Sequence, residues 1–206
     1  MDERKRIVRD GYDQIARAYL EARDVAGADI LLLADLIARL PRDARVLDAG
    51  CGAGVPVTRL LSQHARVIAV DISQAQLRLA RQHVPSAALV CADIGAPGFQ
   101  DASFDAICSY YAVIHVPRDE HPALLRNFHR LLKPHGYLLL TMGCGDSAGA
   151  VEADWFGATM YWSHYDSATN LRLLDQCGFA VLWSKDVSDK LDAGAAHTFI
   201  LAQKED

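Results

Sequence analysis

The chain has 206 residues, 51% of them hydrophobic, and a formal net charge of -5. A chain of this length can bury a core without a metal ion or disulfide, and its acidic balance argues against broad electrostatic binding to nucleic acid. The five cysteines are spread singly, without the spacing of metal ligands, which indicates reduced, buried thiols. We expect one domain over 1–206 with no metal site and no nucleic-acid partner.

Two apolar stretches are candidates for segments that span a membrane. The stretches near 30–40 and 131–142 are too short, or too interrupted by charge, to span a bilayer. The first residues also lack the apolar centre of a signal peptide. We therefore expect a cytoplasmic protein with no membrane partner, present as a monomer or homodimer.

The N-terminal part is predicted to be helical. Residues 4–22 place apolar side chains among charges at helical spacing, with Gly11 as an interruption. The basic run at 3–9 is interpreted as the solvated start of this helix. A second helix is predicted over 27–40, ended by Pro41, whose ring cannot continue it.

From residue 44 the pattern becomes regular. Apolar runs of four to six residues end in Asp, Ser or Gly and alternate with helix-patterned segments, which indicates buried parallel strands with crossover helices. The fold class is therefore α/β and doubly wound. The strands are predicted at 44–50, 65–73, 87–94, 104–111 and 136–143, and a helix at 119–132.

The last forty residues differ from this pattern. A helix is predicted over 167–179, with Ser167 as its N-cap and Gly178 as its stop. Two strands follow at 180–187 and 196–203, joined by a polar turn at 189–194. Strands with so short a connection pair antiparallel.

The turn after the first strand is rich in glycine. Gly50, Gly52 and Gly54 follow G-x-G-x-G, whereas the dinucleotide fingerprint G-x-G-x-x-G requires glycine or alanine at Val55. Bare backbone above the strand ends lets a ligand approach closely. No basic residue follows until Arg59, so the turn suits a weakly charged ligand better than a pyrophosphate.

Acidic residues end the next two strands. Asp71 ends the second strand, where an acid accepts both hydroxyls of a ribose. Asp93 ends the third and is placed to accept from an exocyclic amine, although an Asp in this position is often a cap or turn residue. Ile72 and Ile94 are predicted to sandwich a flat base.

Five segments in this order resemble the class I S-adenosylmethionine-dependent methyltransferases, in particular the small-molecule, type 11/12-like branch: "VLDAGCGAG", "VIAVDIS", "ALVCADI", "FDAICSYYAVIHV" and "RLLKPHGYLLLT". The resemblance implies a Rossmann-like, seven-stranded, mostly parallel sheet with the last strand antiparallel, and S-adenosylmethionine as cofactor. It places Gly50, Gly52 and Gly54 at the methionine portion, and Asp71 at the ribose. Asp93 and Ile94 are expected at the adenine, and Ser109 and Tyr110 beside the methionine portion and the acceptor. Asp48 and Ile72 are the remaining residues expected to bind the cofactor.

The N-terminal helices resemble a family feature as well. Tyr12 and Tyr19 fit the family's Y-D-x-x-A-x-x-Y pattern, so 1–40 is expected to form a cap that closes over the cofactor. A ring face near a sulfonium is attractive by about 0.5–2 kcal/mol; the alternative is simple packing of the helix. Among the departures, His135 stands where the family commonly has glycine, and histidine tolerates a left-handed turn.

Base candidates follow the fourth and fifth strands. His115 lies just past Tyr110, where acceptors bind in this architecture, and His164 lies in an aromatic segment at 154–166. The alternative for His115 is a structural histidine bonded to a carbonyl. We interpret 150–166 as an acceptor-site lid; the alternative is that its aromatic side chains seal the sheet or a subunit contact.

The resulting hypothesis is a methyltransferase that acts by in-line transfer on a small aromatic or hydrophobic acceptor. Two other functions stay open at this point. One is a non-catalytic module that binds S-adenosylmethionine. The other is a nicotinamide-dependent oxidoreductase, which needs the longer glycine spacing and for which no Tyr-x-x-x-Lys pair is present.

Overall fold

The computed structural model describes residues 1–23, 27–189, 191 and 194–205. Among its helices none is long and apolar enough to cross a membrane. The elements follow in the order α1 (Glu3–Ala22), α2 (Ala28–Leu31), α3 (Leu33–Arg39), β1 (Arg45–Ala49), α4 (Val57–Leu61), β2 (Arg66–Asp71), α5 (Gln74–His83), β3 (Ala88–Cys91), β4 (Phe104–Ser109), α6 (His121–Leu131), β5 (Leu132–Gly143), β6 (Ser147–Trp155), β7 (Ala158–His164), α7 (Ser167–Gln176), β8 (Phe179–Ser188) and β9 (Ala196–Lys204).

Seven strands form the main sheet in the order β3-β2-β1-β4-β5-β9-β8. Neighbouring strands from β3 to β5 are parallel, whereas β9 runs antiparallel to both β5 and β8. The order reverses between β1 and β4, which opens a crevice at the carboxyl ends of the strands. The predicted α/β, doubly wound fold with an antiparallel last strand is confirmed.

Alternating side chains of the central strands pack into two hydrophobic cores, one on each face of the sheet. Leu138 and Leu140 of β5 pack with α6 and α7, whereas Leu139 between them packs on the other face with α2 and α3. This period of two explains why the strands read as nearly continuous apolar runs: both faces are covered by helices. The layers hold the strand ends in fixed positions.

Helix α1 is continuous, so the predicted interruption at Gly11 is wrong. A Cβ at this position would lie 2.6 Å from the Thr159 carbonyl oxygen and 2.9 Å from Met160 Cε. The glycine therefore serves the close approach of α1 to β7 rather than a break in the helix.

Several smaller expectations concern the ends of helices and turns, and they can be compared with the structure. The helix predicted over 27–40 is divided into α2 and α3. The N-cap of α7 is Asp166, whose carboxylate accepts from the Thr169 amide at 2.7 Å, and not Ser167. Gly178 and His135 adopt left-handed φ values of 83° and 59°, as their predicted turn roles require. The polar turn predicted at 189–194 lies partly outside the described residues.

The segment predicted as a lid forms a β-hairpin. Strands β6 and β7 pair only with each other, as an antiparallel two-stranded sheet apart from the main one. The hairpin packs on α1 through Val8, Ile15, Met160 and Tyr161. The aromatic segment therefore has a regular backbone, and its action as a lid stays a prediction.

Candidate functional site

A first cavity lies at the carboxyl ends of the parallel strands, and we call it the strand-end cavity. It is bounded by the glycine turn after β1, by the ends of β2 and β4, and by α1. Nine of the predicted site residues line it together with His115: Tyr12, Tyr19, Gly50, Gly52, Asp71, Ile72, Asp93, Ile94 and Tyr110.

Two glycines of the turn after β1 line the strand-end cavity with left-handed backbone conformations, and one of them leaves no room for a side chain. Gly50 has a φ of 87°, and a Cβ there would lie 2.2 Å from the Ala112 Cβ. Gly52 has a φ of 53° and also lines the cavity. Gly54 does not line it: its added Cβ would instead contact Val84 and Ala80, so this glycine serves packing against α5 and its predicted cofactor contact is not supported.

Asp71 is tied to the turn and to the next helix. Its Oδ2 accepts from the Gly52 amide and its Oδ1 from the Ser73 amide, both at 2.8 Å. Burial raises the pKa of this carboxyl to about 6 despite those two bonds. From α1, Asp13 Oδ1 accepts from the Ser73 hydroxyl at 2.6 Å and the Ala75 amide at 2.8 Å, which anchors α1 at the start of α5.

Gln76 is a cavity residue that sequence reasoning missed. It lies in the first turn of α5, is 1% exposed, and lines the strand-end cavity. Neither its amide oxygen nor its amide nitrogen has a hydrogen-bond partner among the described residues. Because buried polar atoms are nearly always bonded in native proteins, this amide is available to bond a molecule bound in the cavity.

Asp93 is paired with a lysine of α1. Lys5 Nζ lies 2.7 Å from Asp93 Oδ2 and also bonds Glu120, while Asp93 Oδ1 accepts from the Gly95 amide at 2.8 Å. Burial acts to lower the pKa of Lys5, but these two carboxylates hold it above its ordinary value. Lys5 is only 8% exposed, so the interpretation of the whole basic run as a solvated helix start is wrong for this residue.

A smaller second cavity, the turn cavity, adjoins the glycine turn. Asp48, Tyr110 and Arg23 line it. Asp48 accepts from the Thr58 hydroxyl at 2.6 Å, and burial raises its pKa to about 7. Arg23, which sequence reasoning missed, keeps 13% of its side chain exposed and lies 3.8 Å from Asp29. It supplies a positive charge beside the glycine turn.

Ser109 lines neither of these two cavities, nor the third one described below. Its side chain is fully buried, and its hydroxyl donates to the Ala49 carbonyl at 2.8 Å. The expectation that it lies beside a bound methionine portion and acceptor is therefore not supported, because its hydroxyl is used inside the sheet. Tyr110, the next residue, does reach the strand-end cavity, and its hydroxyl donates to the Asp29 carbonyl at 3.1 Å.

A third cavity of about 480 Å³, the aromatic cavity, shares a wall with the first. Tyr12, Tyr19, Tyr111 and His115 line both. The hairpin adds Trp155, Trp162 and His164, and the start of β9 adds His197. The prediction that aromatic side chains of 154–166 face a site next to the strand ends is consistent with this geometry.

His115 stands at the shared wall with both nitrogens engaged. The Tyr161 carbonyl can only accept, so Nδ1 donates to it (2.9 Å), and Nε2 accepts from the Tyr12 hydroxyl (2.8 Å). Burial lowers the pKa of His115 to about 4. The imidazole is therefore neutral and bonded to a carbonyl, as the structural alternative expected, and its geometry disfavours the predicted role of base.

His164 and His197 reach the aromatic cavity from opposite sides. His164 Nδ1 donates to the Gly145 carbonyl at 2.7 Å, which leaves Nε2 as an acceptor. His197 Nε2 donates to Asp189 Oδ2 at 2.9 Å. Sequence reasoning missed the pair of Asp189 and His197, because the two residues come together only when β8 and β9 pair.

Comparisons with known proteins agree with this geometry. Residues 46–136 match the family model of a methyltransferase domain. The chain is 36% identical over 122 residues to a malonyl-[acyl-carrier protein] O-methyltransferase of Enterobacter lignolyticus, covering 58% of this chain and 48% of that protein. It is 36% identical over 112 residues to a trans-aconitate 2-methyltransferase of Variovorax paradoxus, covering 52% and 42%. The chain thus spans about half the length of these curated relatives.

A solved structure matches nearly the whole chain. The 1,6-didemethyltoxoflavin-N1-methyltransferase of Burkholderia thailandensis, with bound 1,6-didemethyltoxoflavin and S-adenosylhomocysteine, is 26% identical, with a TM-score of 0.72 over 96% of this chain and 85% of that one. Residues 46–136 thus match a methyltransferase domain, and these comparisons confirm the resemblance to the class I S-adenosylmethionine-dependent methyltransferases that the five sequence segments carry.

Proposed function

We propose that the protein binds S-adenosylmethionine in the strand-end cavity and transfers its methyl group to a small aromatic or hydrophobic molecule in the aromatic cavity. The observation that carries the proposal is the wall shared by the two cavities, formed by Tyr12, Tyr19, Tyr111 and His115. Two cavities that meet at one wall can hold a donor and an acceptor in contact, which is the arrangement that an in-line displacement needs.

The residues of the strand-end cavity fit the adenosyl group. Asp71 has a buried carboxylate with lone pairs left for ribose hydroxyls, and the partnerless amide of Gln76 lies in the same cavity. Ile72 and Ile94 are placed to flank the adenine, and Asp93 to accept from its amine. A carboxylate bond to a hydroxyl contributes about 1.5–3 kcal/mol at best.

The turn cavity fits the amino-acid portion of the cofactor. Its Arg23 guanidinium complements a carboxylate, and Asp48 complements an ammonium group. The backbone at Gly50 and Gly52 carries no side chain that could keep a ligand at a distance. These groups are the ones we expect to orient the sulfur toward the shared wall.

When bound, the cofactor supplies a methyl group on a positively charged sulfur. Tyr12 and Tyr19 present aromatic rings at the shared wall, where they attract a cation by about 0.5–2 kcal/mol and exclude water. The hydrogen bond to His115 fixes the Tyr12 ring in place. These residues contribute by orientation and by keeping the reaction volume dry.

The aromatic cavity supports the choice of acceptor. Trp155 and Trp162 pack edge to face at 5.1 Å, and Tyr12 packs on Trp155 at 5.8 Å. Flat apolar walls with a few polar groups are typical of sites for small aromatic ligands. The bound compound named for the Burkholderia protein supports the same choice, while the other relatives are named for different acceptors.

Calorimetry with S-adenosylhomocysteine and with NAD tests the cofactor part of the proposal. We expect binding of the first and none of the second. Binding of NAD alone would favour an oxidoreductase and overturn the proposal. Transfer of labelled methyl groups to phenols, thiols, amines and carboxylates then tests turnover, and cofactor binding without transfer to any of them would favour a non-catalytic module.

A further inference from the structure

Three imidazoles line the aromatic cavity, and they differ in what their nitrogens bond. His115 has both nitrogens engaged, by a carbonyl and by a phenol. His164 donates to a backbone carbonyl near the solvent-exposed edge of the cavity. Of these three, His197 is the one that donates to a carboxylate, that of Asp189. A carboxylate that accepts from one nitrogen fixes the tautomer and the ring orientation, and it leaves the other nitrogen as an acceptor.

The other nitrogen of His197 makes no hydrogen bond within the part of the chain that the structure describes. The residue is 9% exposed, and its Nδ1 is buried without a hydrogen-bond partner among the described residues. Since Nε2 carries the proton that Asp189 accepts, Nδ1 holds a lone pair. A buried acceptor without a donor is uncommon in native proteins, and a hydroxyl of a bound molecule would satisfy it.

Asp189 is held in the position that this pairing needs. Its Oδ1 accepts from the Leu191 amide at 2.7 Å, and its Oδ2 faces His197. Burial acts to raise the pKa of Asp189, but these hydrogen bonds hold it below its ordinary value. The carboxylate is therefore ionised and able to stabilise a charged imidazole.

We propose that His197 is the catalytic base for the acceptor, that Asp189 positions His197, and that the acceptor is a phenol, methylated on its hydroxyl oxygen. The inference rests on the proposed function. A hydroxyl oxygen is a weaker nucleophile than an amine or thiolate, so an alcohol acceptor has the greatest need of a base. The flat walls of Trp155 and Trp162 suit the ring that carries this hydroxyl.

The step balances without a further reactant. The bond between the methyl carbon and the sulfonium sulfur breaks and leaves its electron pair on sulfur. The acceptor oxygen forms the new bond to the methyl carbon, and its proton passes to Nδ1 of His197, which Asp189 stabilises as an imidazolium. His197 lines the aromatic cavity but its Nδ1 is buried, so the step requires neighbouring side chains to shift as the acceptor enters.

The test compares His197→Gln with the wild type on labelled S-adenosylmethionine, using phenol, catechol and 4-methylphenol as acceptors, all of which stay protonated at neutral pH. Glutamine can still donate to Asp189 but has no basic nitrogen. We expect methylation of at least one of these phenols by the wild type, and a loss of about 10²-fold or more in kcat in the variant with little change in KM. Pyridine and quinoline, which have no hydroxyl proton, are expected to be poor acceptors.

Controls separate this role from a structural one. His64→Gln makes the same substitution at an exposed turn residue and should leave kcat unchanged. Asp189→Asn should lower kcat without raising KM, and Asp189→Glu should restore part of it. S-adenosylhomocysteine should bind the His197→Gln protein as it binds the wild type.

Three results would overturn the inference. One is full kcat in the His197→Gln protein, and another is a loss in His164→Gln that His197→Gln does not show. The third is turnover of pyridine or quinoline with none of the phenols, or of no acceptor at all, by a protein that binds S-adenosylhomocysteine. Failure of S-adenosylhomocysteine to bind the wild type would instead count against the proposed function itself.

Discussion

The strand-end cavity and the aromatic cavity share a wall but are built in different ways. The first takes both of its carboxylates from residues that end a strand or follow shortly after one, Asp71 and Asp93. The second combines α1, the turn after β4, the hairpin and the start of β9, which are far apart in the chain. A site at strand ends is specified by topology, whereas a site between elements is specified by tertiary packing.

Asp71→Asn should give the largest effect and should act on the strand-end cavity alone. The amide keeps the side-chain shape, but it loses the charge that strengthens bonds from ribose hydroxyls, and its nitrogen cannot accept from one of the two backbone amides that Asp71 binds. We expect the Kd for S-adenosylhomocysteine to rise about ten- to hundredfold by calorimetry. Asp175→Asn, at an exposed position of α7, is the control. An unchanged Kd would contradict the assignment of Asp71 to the ribose.

The second-largest effect should be the pH dependence of cofactor binding, which depends on Asp71 in the strand-end cavity. Burial raises the pKa of Asp71 to about 6, and hydroxyl donors bind its ionised form. Affinity should therefore be constant well above pH 6 and fall by up to about tenfold per pH unit below it. Calorimetry of S-adenosylhomocysteine at several pH values measures this, and the Asp71→Asn protein should show a flatter profile. A wild-type affinity that rises on acidification would contradict the sign.

The difference between the cavities also explains how much the sequence could predict. The parallel strands, the antiparallel last strand and Asp71 follow from local patterns of apolar runs and the residues that end them. The continuity of α1 at Gly11 does not, because the reason for that glycine is the Thr159 carbonyl, almost 150 positions away in the sequence.

The missed polar residues have the same explanation. The sequence predicts a solvated Lys5 because it does not show the two carboxylates that face this side chain. It predicts a strand at His197 but no role for the residue, since Asp189 comes to face it only when β8 and β9 pair. Pairings that depend on tertiary contacts carry no local pattern for sequence reasoning to find.

Gly11→Ala tests the close contact between α1 and the hairpin that carries part of the aromatic cavity. The added methyl group would press on the Thr159 carbonyl oxygen, which belongs to the backbone and must shift. Overpacking of this kind costs about 1–3 kcal/mol, against a gain of about 1 kcal/mol in helix propensity. We expect a net decrease of about 1 kcal/mol in the free energy of unfolding, measured by urea denaturation.

The same variant should disturb the two cavities unequally. The hairpin that carries Trp155 and Trp162 packs on α1, so turnover should fall more than the affinity for S-adenosylhomocysteine. Arg17→Ala, on the exposed side of the same helix, is the control for the change in α1. Equal losses in binding and turnover would show that α1 and the hairpin do not act on the aromatic cavity in particular.

Gln76→Met should have the smallest effect. It should raise the free energy of unfolding of the free protein but weaken its binding of S-adenosylhomocysteine. Methionine matches the length of glutamine and removes two buried polar atoms that lack partners among the described residues. The free protein should therefore become more stable, by about 1 kcal/mol in urea denaturation. The Kd for S-adenosylhomocysteine should rise severalfold, since a neutral hydrogen bond contributes about 0.5–1.5 kcal/mol. Gln63→Met, at an exposed position, should change neither quantity. If the free protein were destabilised while binding stayed the same, Gln76 would be a packing residue, and its amide would give no support to an adenosyl ligand in the strand-end cavity.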